Sequence, residues 1–251
     1  MAQKPDVAIV TGGSRGIGAA TCLLLAKAGY TVVVNYAANE AAANSVVAQI
    51  NKAGGSAMAV ACDVAQEADI LRLFAAADGL GPLKVLVNNA GVVDVGARID
   101  EMTAERLNRM FTINITGSIL CAREAVRRMS SKHGGKGGAI INLSSAAALL
   151  GAPGLYVDYA ASKGAIDTFT IGLAREVAEE GIRVNAVRPG IIDTDIHASG
   201  GIPDRVAQMR GMVPMKREGT SQEVADAIVW LASDSASYVT GAFINVAGGR
   251  C

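Results

Sequence analysis

Aromatic side chains are scarce in this 251-residue chain: Phe, Trp and Tyr together make up 4% of it. An aromatic-rich β-sandwich is therefore disfavoured. The apolar share of 51% points instead to aliphatic strands and alanine-rich helices. Histidine is scarcer still, with two residues, and the four cysteines, Cys22, Cys62, Cys121 and Cys251, form no C-x-x-C pair. That spacing argues against a zinc site and predicts reduced, mostly buried thiols in a cytoplasmic protein. Charge imbalance is missing as well, since 23 Lys plus Arg offset 23 Asp plus Glu, with a pI near 6.7. Nucleic acids and anionic membranes select a basic excess, so neither partner is expected. No apolar run is long enough to span a bilayer. The segment from Met1 to Asp6 leads directly into the first apolar run, which leaves no room for a signal peptide.

What the chain does contain is alternation. Continuously apolar runs fall at about 6–11, 31–36, 57–62, 84–88, 138–144, 182–187 and 242–246. Helical patterns fill about 16–28, 39–53, 66–77, 103–131, 159–180 and 221–233. Strands apolar on both faces, separated by helices, imply parallel pairing with right-handed crossovers. The expected fold is α/β: one doubly wound domain spanning 1–251, with a seven-stranded parallel sheet flanked by helices. Lys132–Gly138 carries four glycines and reads as a mobile turn holding His133. The stretch from Pro189 to about Lys216, which includes His197, has the length of a substrate lid. Within it Met209, Met212 and Met215 recur every third residue. They read either as the packed face of a short amphipathic helix or as an adaptable pocket wall.

Two motifs carry chemistry. After the first strand comes Gly12-Gly13-Ser14-Arg15-Gly16-Ile17-Gly18, followed by a helix. A glycine turn there lets the backbone approach a pyrophosphate, and the helix N-terminus offers it free N–H groups. Further on, Tyr159-Ala160-Ala161-Ser162-Lys163 places a phenol and an ammonium four residues apart. On a helix they share one face, with Cβ atoms roughly 5–6 Å apart. A phenol ionises near pH ~10, and a neighbouring cation favours its phenolate. The pair is suited to general acid/base work. Tyr156 is a rival phenol, but it has no lysine four residues on.

Further segments complete a pattern: Asn88-Asn89-Ala90-Gly91 after the fourth strand, Asn114 within Ile113–Gly117, Ser144-Ser145 closing the fifth strand, and Pro189-Gly190 after the sixth. Together with Thr11-Gly12 and Gly16-Ile17-Gly18, and on to Val246-Ala247-Gly248-Gly249, the chain resembles the short-chain dehydrogenase/reductase family over essentially its whole length. Its nearest look is to bacterial members of the 3-oxoacyl-carrier-protein reductase and glucose 1-dehydrogenase type. The resemblance implies an oxidoreductase that interconverts a secondary alcohol and a ketone. Tyr159 would be the acid/base, Lys163 would tune it and hold the nicotinamide ribose, and Asn114 would anchor a proton relay. Ser145 would hold the substrate oxygen, with Ser144 left open as the alternative. The Ser145–Tyr159 interval is slightly long for the family, which implies a bulge at the substrate mouth.

The same resemblance assigns cofactor contacts to Gly12, Ser14, Arg15, Gly16, Ile17 and Gly18 of the turn. It adds Tyr36 at the end of the second strand, Asp63 and Val64 by the adenine, and Asn89, Ala90 and Gly91 by the ribose. Tyr159, Lys163, Pro189, Gly190, Ile192 and Thr194 would sit at the nicotinamide. Tyr36 stands where NAD-type members carry an acid, and Arg15 matches a basic residue of NADP-type members. NADP(H) is the expected cofactor, with NAD(H) as the alternative. The family also implies a homotetramer acting on a small molecule. A catalytically silent NADPH sensor, or an epimerase or dehydratase on the same fold, are the competing readings. Substrate choice is expected in Val92–Arg98, Gly151–Tyr156 and Ile191–Met215.

Overall fold

The computed structural model describes residues 4–193 and 209–251. The first strand, β1 (Val7–Val10), is four consecutive buried aliphatic or alanine residues. The glycine turn then delivers α1 (Gly16–Lys27), β2 (Thr31–Tyr36), α2 (Glu40–Lys52), β3 (Ser56–Ala61), α3 (Glu67–Asp78) and β4 (Leu83–Asn88). After β4 come α4 (Ala104–Phe111), a π-helical turn over Thr112–Gly117, and α5 (Ser118–Met129). The remainder is β5 (Gly138–Leu143), α6 (Ala147–Leu150), α7 (Val157–Val177), β6 (Ile182–Pro189), α8 (Ser221–Ala232) and β7 (Phe243–Val246).

All seven strands pair in parallel, in the order β3-β2-β1-β4-β5-β6-β7. Strand residues alternate between two cores, because successive side chains point to opposite faces. Ala8, Val10, Val32 and Val34 pack on Leu25 of α1, Ile50 of α2 and Ile228 of α8. Val7, Ile9 and Val33 pack on Phe74 of α3, Met129 of α5 and Val177 of α7. The doubly wound seven-stranded sheet expected from the alternation is thus present, with helices on both faces. Chain order reverses between β1 and β4, and in open α/β sheets the crevice beyond the strand ends at that point takes ligands.

Several local expectations change. The helix expected over 103–131 is broken by the π-helical turn. Lys132–Gly138 is not a loose turn. Gly135 and Gly137 donate N–H bonds to the Ser130 and Met129 carbonyls at 2.8 Å each, and Lys132 pairs with Glu180 at 2.6 Å. The methionine stripe makes no common buried face: Met212 and Met215 are each 60% exposed, around a 3-10 turn over Arg210–Met212. Helix α6 has no sequence forerunner. Together with a loop that takes left-handed backbone at Gly151, Ala152 and Gly154, it absorbs the long Ser145–Tyr159 interval. Cys22, Cys62 and Cys121 are buried free thiols, while Cys251 is half-buried.

Candidate active site

The cleft floor is built from strand ends. At the end of β2, Asn35 is 1% exposed and works as a four-way tie. Its Oδ1 accepts from the Gly12 N–H at 3.0 Å, and its Nδ2 lies 3.0–3.3 Å from the carbonyls of Tyr36, Val60 and Cys62. Thr11 Oγ1 accepts from the N–H groups of Asn89 and Ala90 at 3.0 Å each. Asn89 Nδ2 returns bonds to the carbonyls of Thr11 and Gly12, at 2.9 and 3.0 Å. These ties fix the glycine turn against the end of β4. Gly12 itself has φ +61°, a region unfavourable for other residues. A Cβ at Gly18 would lie 2.2 Å from the Gly12 carbonyl oxygen. Gly18 is buried and serves close packing of α1 on the turn.

Two cavities run along this floor. One, of about 470 Å³, is lined by Gly12, Ser14, Arg15, Gly16, Ile17, Tyr36, Asp63, Val64, Ala90 and Ile113, among others. The other, of about 310 Å³, is lined by Ser144, Ser145, Tyr159, Lys163, Pro189, Gly190, Ile192 and a set of apolar side chains. Ile17, Asn89 and Gly91 border both, so the two form one trough across the sheet's reversal point. A backbone-lined turn with positive φ at Gly12 and Gly16 fits a pyrophosphate between them. Partial burial and the Glu40 carboxylate raise the Tyr36 phenol above its ordinary value. Thr194 and His197 lie outside the described residues.

Helix α7 carries Tyr159 and Lys163 on one face, with the Lys163 Nζ 5.6 Å from the Tyr159 ring centre. Lys163 is 4% exposed and donates to the Leu143 carbonyl at 2.7 Å. Burial pushes its ammonium down to about 8, against an upward pull from Asp167 one turn further on. The amine is thus still mostly charged at neutral pH. Ser145 is half-buried, and its Oγ accepts the Ala147 N–H at 3.1 Å. That bond occupies a lone pair and leaves the hydroxyl proton to donate elsewhere. Ser144 is 3% exposed and its Oγ is turned to the Lys163 carbonyl at 3.4 Å. The geometry thus separates the two serines.

Asn114 is fully buried in the π-helical turn and does not line the trough. Its side chain clamps Val92, accepting from the N–H at 2.8 Å and donating to the carbonyl at 3.0 Å. A Cβ at Gly91 would lie 3.4 Å from Asn114 Oδ1 and 3.6 Å from Lys163 Nζ, so bare backbone separates these side chains. π-turns are strained insertions found mostly at functional sites. Tyr156 is 1% exposed, consistent with a packing role, and its ring borders the smaller cavity. Asp158, beside Tyr159, is held by Arg106 at 2.7 and 3.2 Å, and Arg106 also bonds the Val95 carbonyl. Sequence reading gave no role to Asn35, Arg106 and Asp158, and took Thr11 only as part of a motif. A polar residue ending an apolar strand was the available signal for Asn35.

Among the described residues no group of His, Cys, Asp and Glu could hold a metal ion, and no helix is long and apolar enough to cross a membrane. The sequence family described as Enoyl-(Acyl carrier protein) reductase matches residues 12–250. The chain is 57% identical over 245 residues to the uncharacterized oxidoreductase YgfF of Escherichia coli (strain K12), covering 97% of this chain and 99% of that one. It is 41% identical to a 3-oxoacyl-[acyl-carrier-protein] reductase of Synechocystis sp., covering 99% and 98%. Its fold matches a short chain dehydrogenase from Burkholderia cenocepacia J2315, solved in complex with NADP, with a TM-score of 0.89, 30% identity and coverage of 99% and 97%. On sequence, fold and relatives alike, the chain belongs to the short-chain dehydrogenase/reductase family and is an oxidoreductase acting on alcohols or ketones.

Proposed function

We propose that this single-domain enzyme is NADP(H)-dependent and interconverts a small secondary alcohol and its ketone, with Tyr159 as general acid/base. The observation that carries the reading is the convergence of Ser145, Tyr159 and Lys163 on one cavity that opens into the glycine-turn trough. A bound nicotinamide supplies the hydride acceptor or donor. Ser145 donates to the substrate oxygen, while Tyr159 gives or takes the proton on that oxygen. Lys163 places a cation beside the phenol and favours its ionised form. Donors already in place at a developing alkoxide are a large source of rate. Asn114 acts from behind Gly91, by holding Val92 and the loop end in register with Lys163.

NADP(H) is supported by Arg15 at the adenine end, by the absence of an acid at Tyr36, and by the NADP complex of the Burkholderia relative. A homotetramer is supported by exposed apolar side chains on α5 and α7, Ile119 and Ile171, each 37% exposed, and by Tyr238 before β7. The test of the mechanism is Tyr159→Phe. Turnover should fall by at least ~10³-fold, with NADPH affinity within about twofold of wild type. Near-normal turnover in that variant would remove Tyr159 from the chemistry. Tight NADPH binding by the wild type without turnover on any alcohol or ketone would favour the sensor reading.

A further inference from the structure

We propose that the substrate is an uncharged, apolar secondary alcohol or ketone bearing a ring or branched alkyl group, rather than a polyol or a keto acid. This rests on the alcohol/ketone reading above and narrows it. The cavity that holds Ser145 and Tyr159 is also lined by Val93, Ala147, Leu150, Pro153, Leu155 and Met209. Two of these, Leu150 and Leu155, are 41% and 37% exposed and carry the apolar lining toward solvent. Exposed apolar clusters beside a cavity mark ligand contacts.

Polar groups on the cavity are few and mostly engaged. Asn89 spends its Nδ2 on the glycine-turn carbonyls, and Ser144 Oγ faces the Lys163 carbonyl. Among the described residues no carboxylate lines the cavity, and Arg250 is its one cation besides Lys163. Among the described residues, a sugar placed here would strip water from several hydroxyls and meet few polar side chains beyond Ser145, Tyr156, Tyr159 and Arg250. Each unmatched hydroxyl weakens binding by roughly tenfold or more.

The wall is also preformed. The Ala97 N–H donates to the Leu155 carbonyl at 2.9 Å, and the Tyr156 N–H to the Ala152 carbonyl at 3.0 Å. A Cβ on Gly96 would lie 3.1 Å from Leu155 Cδ2, so that leucine packs directly on bare backbone. A fixed apolar surface discriminates by shape and by methylene count, at roughly 10–200-fold per group.

The experiment measures kcat/KM for oxidation of 1-cyclohexylethanol, D-glucose and 3-hydroxybutyrate with NADP⁺, repeated with NAD⁺. 1-Cyclohexylethanol should exceed both others by about 100-fold or more. Leu155→Asn should erase at least about tenfold of that advantage, with NADP⁺ affinity unchanged. Equal or better turnover of glucose or 3-hydroxybutyrate overturns the proposal, the latter by assigning Arg250 to an anionic substrate. A parallel thermal-shift titration of the NADP⁺-loaded protein uses cyclohexyl methyl ketone and glucose. If no alcohol is oxidised but the ketone alone raises the melting temperature, the substrate class stands and the oxidoreductase mechanism falls. If neither turnover nor a ketone shift is seen, the substrate class falls.

Discussion

Lys163 sits dry beneath the Leu143 carbonyl, and that setting gives it a pH signature. In the fold burial brings its ammonium down to about 8, whereas a free lysine side chain loses its proton at 10.5. Between those values the unfolded chain holds more protons than the native one, so stability from this residue rises with pH. Below pH 8 the fold carries the burial penalty in full. The unfolding free energy of wild type minus that of Lys163→Met should therefore climb across pH 8–10.5 and stay level below it. Chemical denaturation at stepped pH measures this, and a level difference throughout would mean the amine is well solvated. The same titration should appear in ketone reduction: kcat/KM for the free enzyme holds below about pH 8 and falls as pH rises through it. Arg15, exposed on the larger cavity, has a simpler test. Arg15→Ala should weaken NADPH roughly tenfold through loss of a charge-assisted bond, and leave NADH within about twofold. Fluorescence titrations compare the two, and equal losses would take Arg15 away from the 2′-phosphate. At this scale the sequence made Tyr159 and Lys163 visible because their spacing is itself the geometry. It hid Asn35 and Thr11, whose value lies in partners up to 79 positions away.

Helices and loops are joined across the site by a buried ion pair. Arg106 of α4 and Asp158 of α7 have side chains 11% and 0% exposed. Their pairing fixes the start of the Tyr159 helix, and the further bond to the Val95 carbonyl ties the substrate-side loop to it. Removing one partner of such a pair strands the other charge. Arg106→Met should destabilise the protein by about 3–5 kcal/mol, and Arg106→Met with Asp158→Leu should recover much of that. Urea denaturation of both variants decides it, and a double variant no better than the single would show the pair to be more than charge compensation. The sequence marked a continuous helix over 103–131 because no proline interrupts it, although Thr112–Gly117 is a run of weak helix formers. In the π-turn the Asn114 side chain makes two bonds to Val92, a tertiary contact invisible to local pattern. Helix α6 was missed for another reason: four residues between Ser144-Ser145 and the Gly151–Gly154 loop are too few to show a period.

At the level of the molecule, strand number and direction were legible because the strands are largely apolar and each is separated from the next by a helix. Strand order was not, since alternation alone does not say where the winding reverses. Assembly is the open quantity. With Ile119, Ile171 and Tyr238 exposed, light scattering should give a mass about four times the 25.6 kDa chain. A monomer mass at micromolar concentration would refute it. The strand order bears on how such a chain is made. With β3-β2-β1 in place, β4 joins the open side of β1, and β5, β6 and β7 each join the strand made just before. No strand has to be inserted between two that are already paired. A polypeptide emerging from the ribosome can therefore lay down this sheet outward in the order of its synthesis, and the trough at the reversal point takes shape as soon as the fourth strand arrives.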